Sequence, residues 1–328
     1  MTVMQRSAPL CLGVILAAVG CSETLDAGRD KPGLLPVDQR NAMIVVNDNW
    51  SDNWAGEYAV LLANSGGSPL AGIIAGTSKY WGSASANAMG WTALVKAARD
   101  SGLKNLPDVT MSDDPPLAKP ADGQIESTVP NNSAGGNRIV TLSQQLAQPN
   151  RPVVLAVGAP LTMVADAYLI DHSVVDRVVV VAALGELGTP SAAMNGPNGD
   201  LDAWADWIVA QRFRYIQVSA YYDQSTDVAT SDLGTLPNNA FGAWMKDKQP
   251  NLQSIPNASD QIAVLAVGLP AFAAAVQRSA PDTTGGFDSA QGPPLAPNAT
   301  GNAWVVTEIA APLAKARLWD MLQSRFGP

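Results

Sequence analysis

A series of short, nearly unbroken apolar runs constrains this chain more than any other feature. They are Ile44–Val46, the "GII" of "PLAGIIAGTS", "RPVVLAVGAPL", "DRVVVVAALGE" and "YIQVSA". Each is strand-length and rich in β-branched residues. Apart from "YIQVSA", they do not alternate apolar with polar, so they would be covered on both faces. Between them lie segments with apolar residues at helical spacing. "AGEYAVLLANSG" stops at Gly66 and Gly67. "SASANAMGWTALVKAARDSG" has Ser83 or Ser85 as N-cap and Gly102 just past its end. "IVTLSQQLAQ", "TMVADAYLID" and "LDAWADWIVAQR" follow in the same style. Strands alternating with helices predict an α/β fold, doubly wound, with a mostly parallel sheet and helices on both faces. Residues 107–136, rich in Pro, Asp, Asn and Gly, read as loop. Residues 260–277 and 302–325 read as helix. Within the loop, "GQIESTVPNNSAGG" has the composition of a mobile cover.

The chain has 328 residues and a net charge of −9. So few Lys and Arg give little counterion release on a phosphate backbone, which sets DNA and RNA aside. The N-terminus places one Arg before "LCLGVILAAVG", too short to span a bilayer alone. The run ends at "AAVGC". This pattern predicts a signal peptide over 1–20, a lipid-bearing Cys21, a flexible tether over 21–40 and one domain from 41 to 328. Cleavage removes Arg6 and Cys11, leaving Cys21 without a disulfide partner. The expected location is the cell envelope, as a periplasmic or outer-membrane lipoprotein. The partners expected from this pattern are the membrane, through the anchor, and further copies of the chain.

In doubly wound folds ligands bind beyond the carboxyl ends of the strands, and the first strand runs into "NDNWSDN". Asp48, Asp52 and Asn53 offer closely spaced oxygens of the kind a hard cation takes. The same residues can instead cap the next helix. Trp50, Trp54 and Trp81 follow strand ends, where aromatic faces suit a sugar or base, or pack inside. His172, the only His, lies in a helix-to-strand turn and so away from that edge.

The order of these segments resembles the inosine–uridine nucleoside hydrolase family. That family opens with a strand and Asp-Pro-Gly-x-Asp-Asp, matched here by "DNWSDN", Asp48 to Asn53. Its "gIt" strand and Asn-bearing helix are matched by "GIIAGTS" and "ANAMGWTALVKAA", and its Gly-Pro-Leu-Thr-Asn by "VVLAVGAPLTMVADA". A strand ending in Met-Gly-Gly is matched by "VVVVAALGE", and Asn-x-x-x-Asp by Asn198 and Asp202. The C-terminal His-Asp-Pro helix, with a Pro ten residues after the Asp, is matched by "GNAWVVTEIAAPL", Asn302 to Pro312. "VVNDN" is also similar to the start of the stationary-phase survival phosphatases, but Asn49 and Trp50 replace the Asp and Gly required there.

The family resemblance implies calcium-assisted hydrolysis of an N-glycosidic bond. It implies Asp48 as base and calcium ligand, and Asp52 at the ribose hydroxyls or supporting the site. Asn53, a main-chain carbonyl near Val157 or Gly158, and Asn302 would complete the ion's ligands. Asn198 and Asp202, with Trp50 and Trp81, would hold the substrate. Two ligand carboxylates are amides here, which bring no charge and bind through one oxygen, so calcium should bind weakly or be lost. A second alignment puts Asn47 and Asn49 on the family's Asp positions and removes the base. The rival function is a non-catalytic lipoprotein that binds a sugar or nucleoside on the same fold.

Overall fold

The computed structural model describes residues 35–49, 54–64, 68–77, 82–184, 201–218, 230–252, 260–289 and 292–326. The expected signal peptide and Cys21 lie outside them, as does most of the tether.

The strands are β1 (Met43–Asn47), β2 (Leu70–Ala75), β3 (Val109–Met111), β4 (Val153–Gly158), β5 (Val178–Ala183), β6 (Arg214–Val218), β7 (Ala273–Pro281), β8 (Leu295–Pro297) and β9 (Ala303–Ile309). The helices are α1 (Ala55–Asn64), α2 (Ala84–Asp100), α3 (Ala134–Leu146), α4 (Thr162–Ile170), α5 (Ala203–Arg212), α6 (Ala240–Leu252), α7 (Gln261–Gly268) and α8 (Ala311–Phe326). One sheet takes them in the order β3-β2-β1-β4-β5-β6-β9-β7-β8. It is parallel from β3 to β9, and β7 is antiparallel to both β9 and β8. The chain winds one way from β1 to β3 and the other way from β4 to β6. The reversal lies between β1 and β4.

Period-2 alternation divides the core into two layers. Met43 and Val45 pack with α1, α2 and α7, while Ile44 and Val46 pack with α3, α4 and α5. Every residue of β1, β4 and β5 is buried, as the unbroken apolar runs require. Ser83 caps α2, its hydroxyl accepting from the Ala86 N–H at 3.2 Å, and Gly102 leaves the helix with φ +90°.

Three expectations fail. Residues 107–136 contain β3, whose short run was hidden among loop formers, and α3 begins within them at Ala134. Residues 273–277 belong to β7 and 303–309 to β9, not to helices. The Ala-rich "AFAAAVQ" favours helix locally, but the β-branched "WVVT" of β9 gives it an antiparallel partner. The loop read as a mobile cover is fastened down. Trp204 Nε1 donates to Thr128 at 2.9 Å, the Ser133 N–H to Asp166 at 2.8 Å, and Arg212 to Glu126 at 2.6 Å.

Candidate functional site at the carboxyl ends of β1 and β4

β1 ends in Asn47, Asp48 and Asn49, all at most 4% exposed. Polar groups so deeply buried must be held by specific hydrogen bonds. The Asn47 Oδ1 accepts the Asn49 N–H at 2.8 Å, and its Nδ2 donates to Asp260 Oδ2 at 3.0 Å. These two bonds fix the amide orientation, since a flip would set oxygen against carboxylate and NH2 against N–H. Asp260, 5% exposed, stands at the start of α7 and accepts the Ala263 N–H through its carbonyl.

Opposite Asn47 in the ladder is Gly158, at the end of β4. A Cβ there would collide with the Asp260 carboxylate, so glycine lets α7 close onto the strand end. The Gly158 carbonyl accepts a long bond, 3.4 Å, from the Asp48 N–H. Asn87, buried on α2, donates from Nδ2 to the carbonyls of Asp48 and, at 3.1 Å, Gly76. One side chain thereby ties the ends of β1 and β2 to a helix.

The structure brings together Asp48 and Val157 among the residues read from the sequence. Val157 sits beside Val46, one residue before Gly158. Asp52, Asn53, Trp50, Trp81 and Asn198 lie outside the described residues. Trp54 is described: it is fully buried in the core with a left-handed backbone, φ 72°, just before α1.

Asp202 is the N-cap of α5. Its carboxylate accepts from the Ala205 N–H at 3.0 Å, the Leu117 N–H at 2.9 Å and the Thr162 hydroxyl at 2.7 Å. Burial raises its pKa, and these donors counter part of that rise. The carboxylate expected to hold substrate is therefore occupied in joining three segments.

Asn302 is a correction. It precedes β9 at the amino edge of the sheet, and its amide donates to the Phe213 carbonyl at 2.8 Å. It is separated from Asp48 by the length of the strands. The acidic side chain that the fold does bring to the carboxyl edge is Asp260, which the sequence reading missed. Its signal was present: Pro270 follows Asp260 by ten residues, the spacing that Asn302 and Pro312 also have. His172 lies as expected away from this edge, stacked on Tyr168 with ring centroids 4.6 Å apart.

The Asn47–Asp260 pair does not fit a calcium ion. Calcium takes six to eight oxygens, but the amide presents its NH2 to Asp260 while its oxygen faces the Asn49 N–H. Among the described residues no group of three or more His, Cys, Asp or Glu converges as a metal-binding set.

No family model matches the chain, and no curated protein does. Solved structures do. An inosine–guanosine nucleoside hydrolase superimposes with a TM-score of 0.63 at 13% identity, covering 87% of this chain and 99% of that one. An inosine–uridine preferring nucleoside hydrolase from Bacillus anthracis gives 0.59 at 12% identity, over 88% and 99%. The type III effector protein XopQ, complexed with adenosine diphosphate ribose, gives 0.56 at 13% identity, over 88% and 96%. Across nearly the whole domain, the chain has the fold of the nucleoside hydrolases.

Proposed function

We propose that this domain hydrolyses the N-glycosidic bond of a nucleoside-like small molecule at the carboxyl edge of β1 and β4. The observation that carries the reading is the meeting of Asn47, Asp48, Gly158 and Asp260 where the strand order reverses. In open α/β sheets that crevice is where ligands bind. Asp48 is the proposed base. It takes a proton from a water whose oxygen bonds to the anomeric carbon, and the C–N bond breaks with its electrons going to the leaving nucleobase. That nucleobase takes a proton from solvent, and Asp48 returns its proton to solvent. A positioned carboxylate in this role contributes about 10²–10⁴-fold to rate. No step is routed through calcium, because the Asn47 amide faces Asp260. The compounds named for the similar structures, inosine, guanosine, uridine and adenosine diphosphate ribose, define the panel to test.

The test is release of free base or reducing sugar from that panel by the domain starting after Cys21. Activity that Asp48→Asn lowers by about 10²-fold or more supports the reading. No turnover of any compound by the folded wild type would sink it. One observation favours the rival, a non-catalytic binder: the Asn47 amide stands where the second alignment expects a carboxylate. That protein would be stabilised by a panel member without turning it over.

Export and anchoring belong to the same proposal, resting on "LCLGVILAAVGC". Labelled palmitate should enter the full-length chain in a bacterial host and not its Cys21→Ser variant. Equal labelling of both would remove the anchor.

A further inference from the structure

The bond between Asn47 and Asp260 joins two elements far apart in sequence, the end of β1 and the start of α7, at a buried point. An Asp is nearly the same shape as an Asn. Placed at 47, it would still accept the Asn49 N–H, but its second oxygen would lie about 3 Å from Asp260 Oδ2, the distance of the present bond. Two ionised carboxylates cannot share so buried a place without a proton or a cation between them. The amide removes that need. Gly158 adds the second half of the argument: with no Cβ, it lets the Asp260 carboxylate sit directly on the end of β4. The approach of α7 is thus built into the strand ends themselves.

We propose that the Asn47–Asp260 hydrogen bond is an internal substitute for a divalent cation. It clamps α7 to the carboxyl edge of β1 and β4 without calcium, and the single change Asn47→Asp converts the clamp into a divalent-cation site. The inference shares with the proposed function only the position of the site, and it requires no catalysis. With Asn47→Asp, the carboxylates at 47 and 260 would face each other about 3 Å apart beside the end of β4. That supplies the oxygen type and the negative charge that calcium or magnesium takes.

The test is thermal unfolding of the domain in EDTA and in millimolar calcium chloride, with calorimetric titration of calcium alone. Wild type should unfold at the same temperature in both and bind no calcium at this site. Asn47→Asp should lose several degrees in EDTA and regain them in calcium, with a binding isotherm absent from wild type. The swapped variant Asn47→Asp/Asp260→Asn restores an amide–carboxylate pair. It should melt above Asn47→Asp in EDTA and ignore calcium, which keeps the test decisive if the single variant does not fold.

A wild type stabilised several degrees by calcium, with the effect lost in Asp260→Asn, overturns the proposal. So does a swapped variant no more stable in EDTA than Asn47→Asp. Because turnover is not read, a calcium-responsive wild type sinks the clamp and leaves hydrolysis standing. An inactive wild type indifferent to calcium does the reverse.

Discussion

Glycine at 158 is required by contact rather than by backbone conformation. The nearest atoms to a Cβ there all belong to the Asp260 side chain. Gly158→Ala must push α7 away or twist the end of β4, and overpacking of this kind costs about 1–3 kcal/mol. Urea unfolding should show that loss, and an unchanged midpoint would mean that Asp260 does not sit against β4. A second residue speaks through pH. The Ser173 hydroxyl, with Arg177 at 2.7 Å, holds the Asp171 carboxyl down to about 2. A depressed carboxylate stabilises the fold above its unfolded pKa, near 4, and that contribution disappears as pH falls through about 2. Asp171 is partly buried, so the change is at most about 2 kcal/mol between those pH values. Stability measured at pH 4.5 and pH 2 should fall more in wild type than in Asp171→Asn. Equal falls would show that Asp171 carries no such linkage.

At the scale of elements, α2 is held to the sheet by apolar packing through Trp91, Leu94 and Val95 and by the Asn87 amide. Asn87→Ala leaves two buried carbonyls, Asp48 and Gly76, without that donor, at about 1–3 kcal/mol each. The expected outcome is a loss of about 2–4 kcal/mol in urea with faster amide exchange at the ends of β1 and β2. A loss of stability without local exchange would place the defect in helix packing alone. Elements whose local preference agrees with their final environment were legible. β1, β2, β4, β5 and β6 are apolar runs that end buried, and Ser83 caps α2 as its position implies. Elements that depend on a distant partner were not. β7 is Ala-rich and becomes a strand only beside β9, and β3 is three residues long inside loop composition. The site divides in the same way. Asp48 follows a strand and could be read directly. Asp260 and Asn302 share the ten-residue spacing to a Pro, and only the closing of α7 on Gly158 tells them apart.

The whole molecule has two edges with different chemistry. At the carboxyl edge Asn47, Asp48 and Asp260 are buried where the strand order reverses. At the amino edge a cleft of 620 Å³ opens beside Arg177, Arg212, Arg214 and Asn302. It is roomy, but Arg177 pairs with Asp171 and Arg212 with Glu126, and the Asn302 amide is held by the Phe213 carbonyl. These groups brace the turns entering β5, β6 and β9, and volume alone makes no site there. A change at each edge should therefore separate stability from recognition. Asn302→Ala removes a buried-carbonyl donor 89 residues distant in sequence, costing about 1 kcal/mol, and should leave ligand response unchanged. Asp48→Asn keeps the shape of the strand end while removing its charge, and should lower turnover by about 10²-fold or more. The comparison is melting with and without the tightest-binding member of the nucleoside panel, beside turnover of the same compound. Loss of turnover and ligand-induced stabilisation in Asn302→Ala, with both intact in Asp48→Asn, would move the site to the amino edge, against the winding of the sheet.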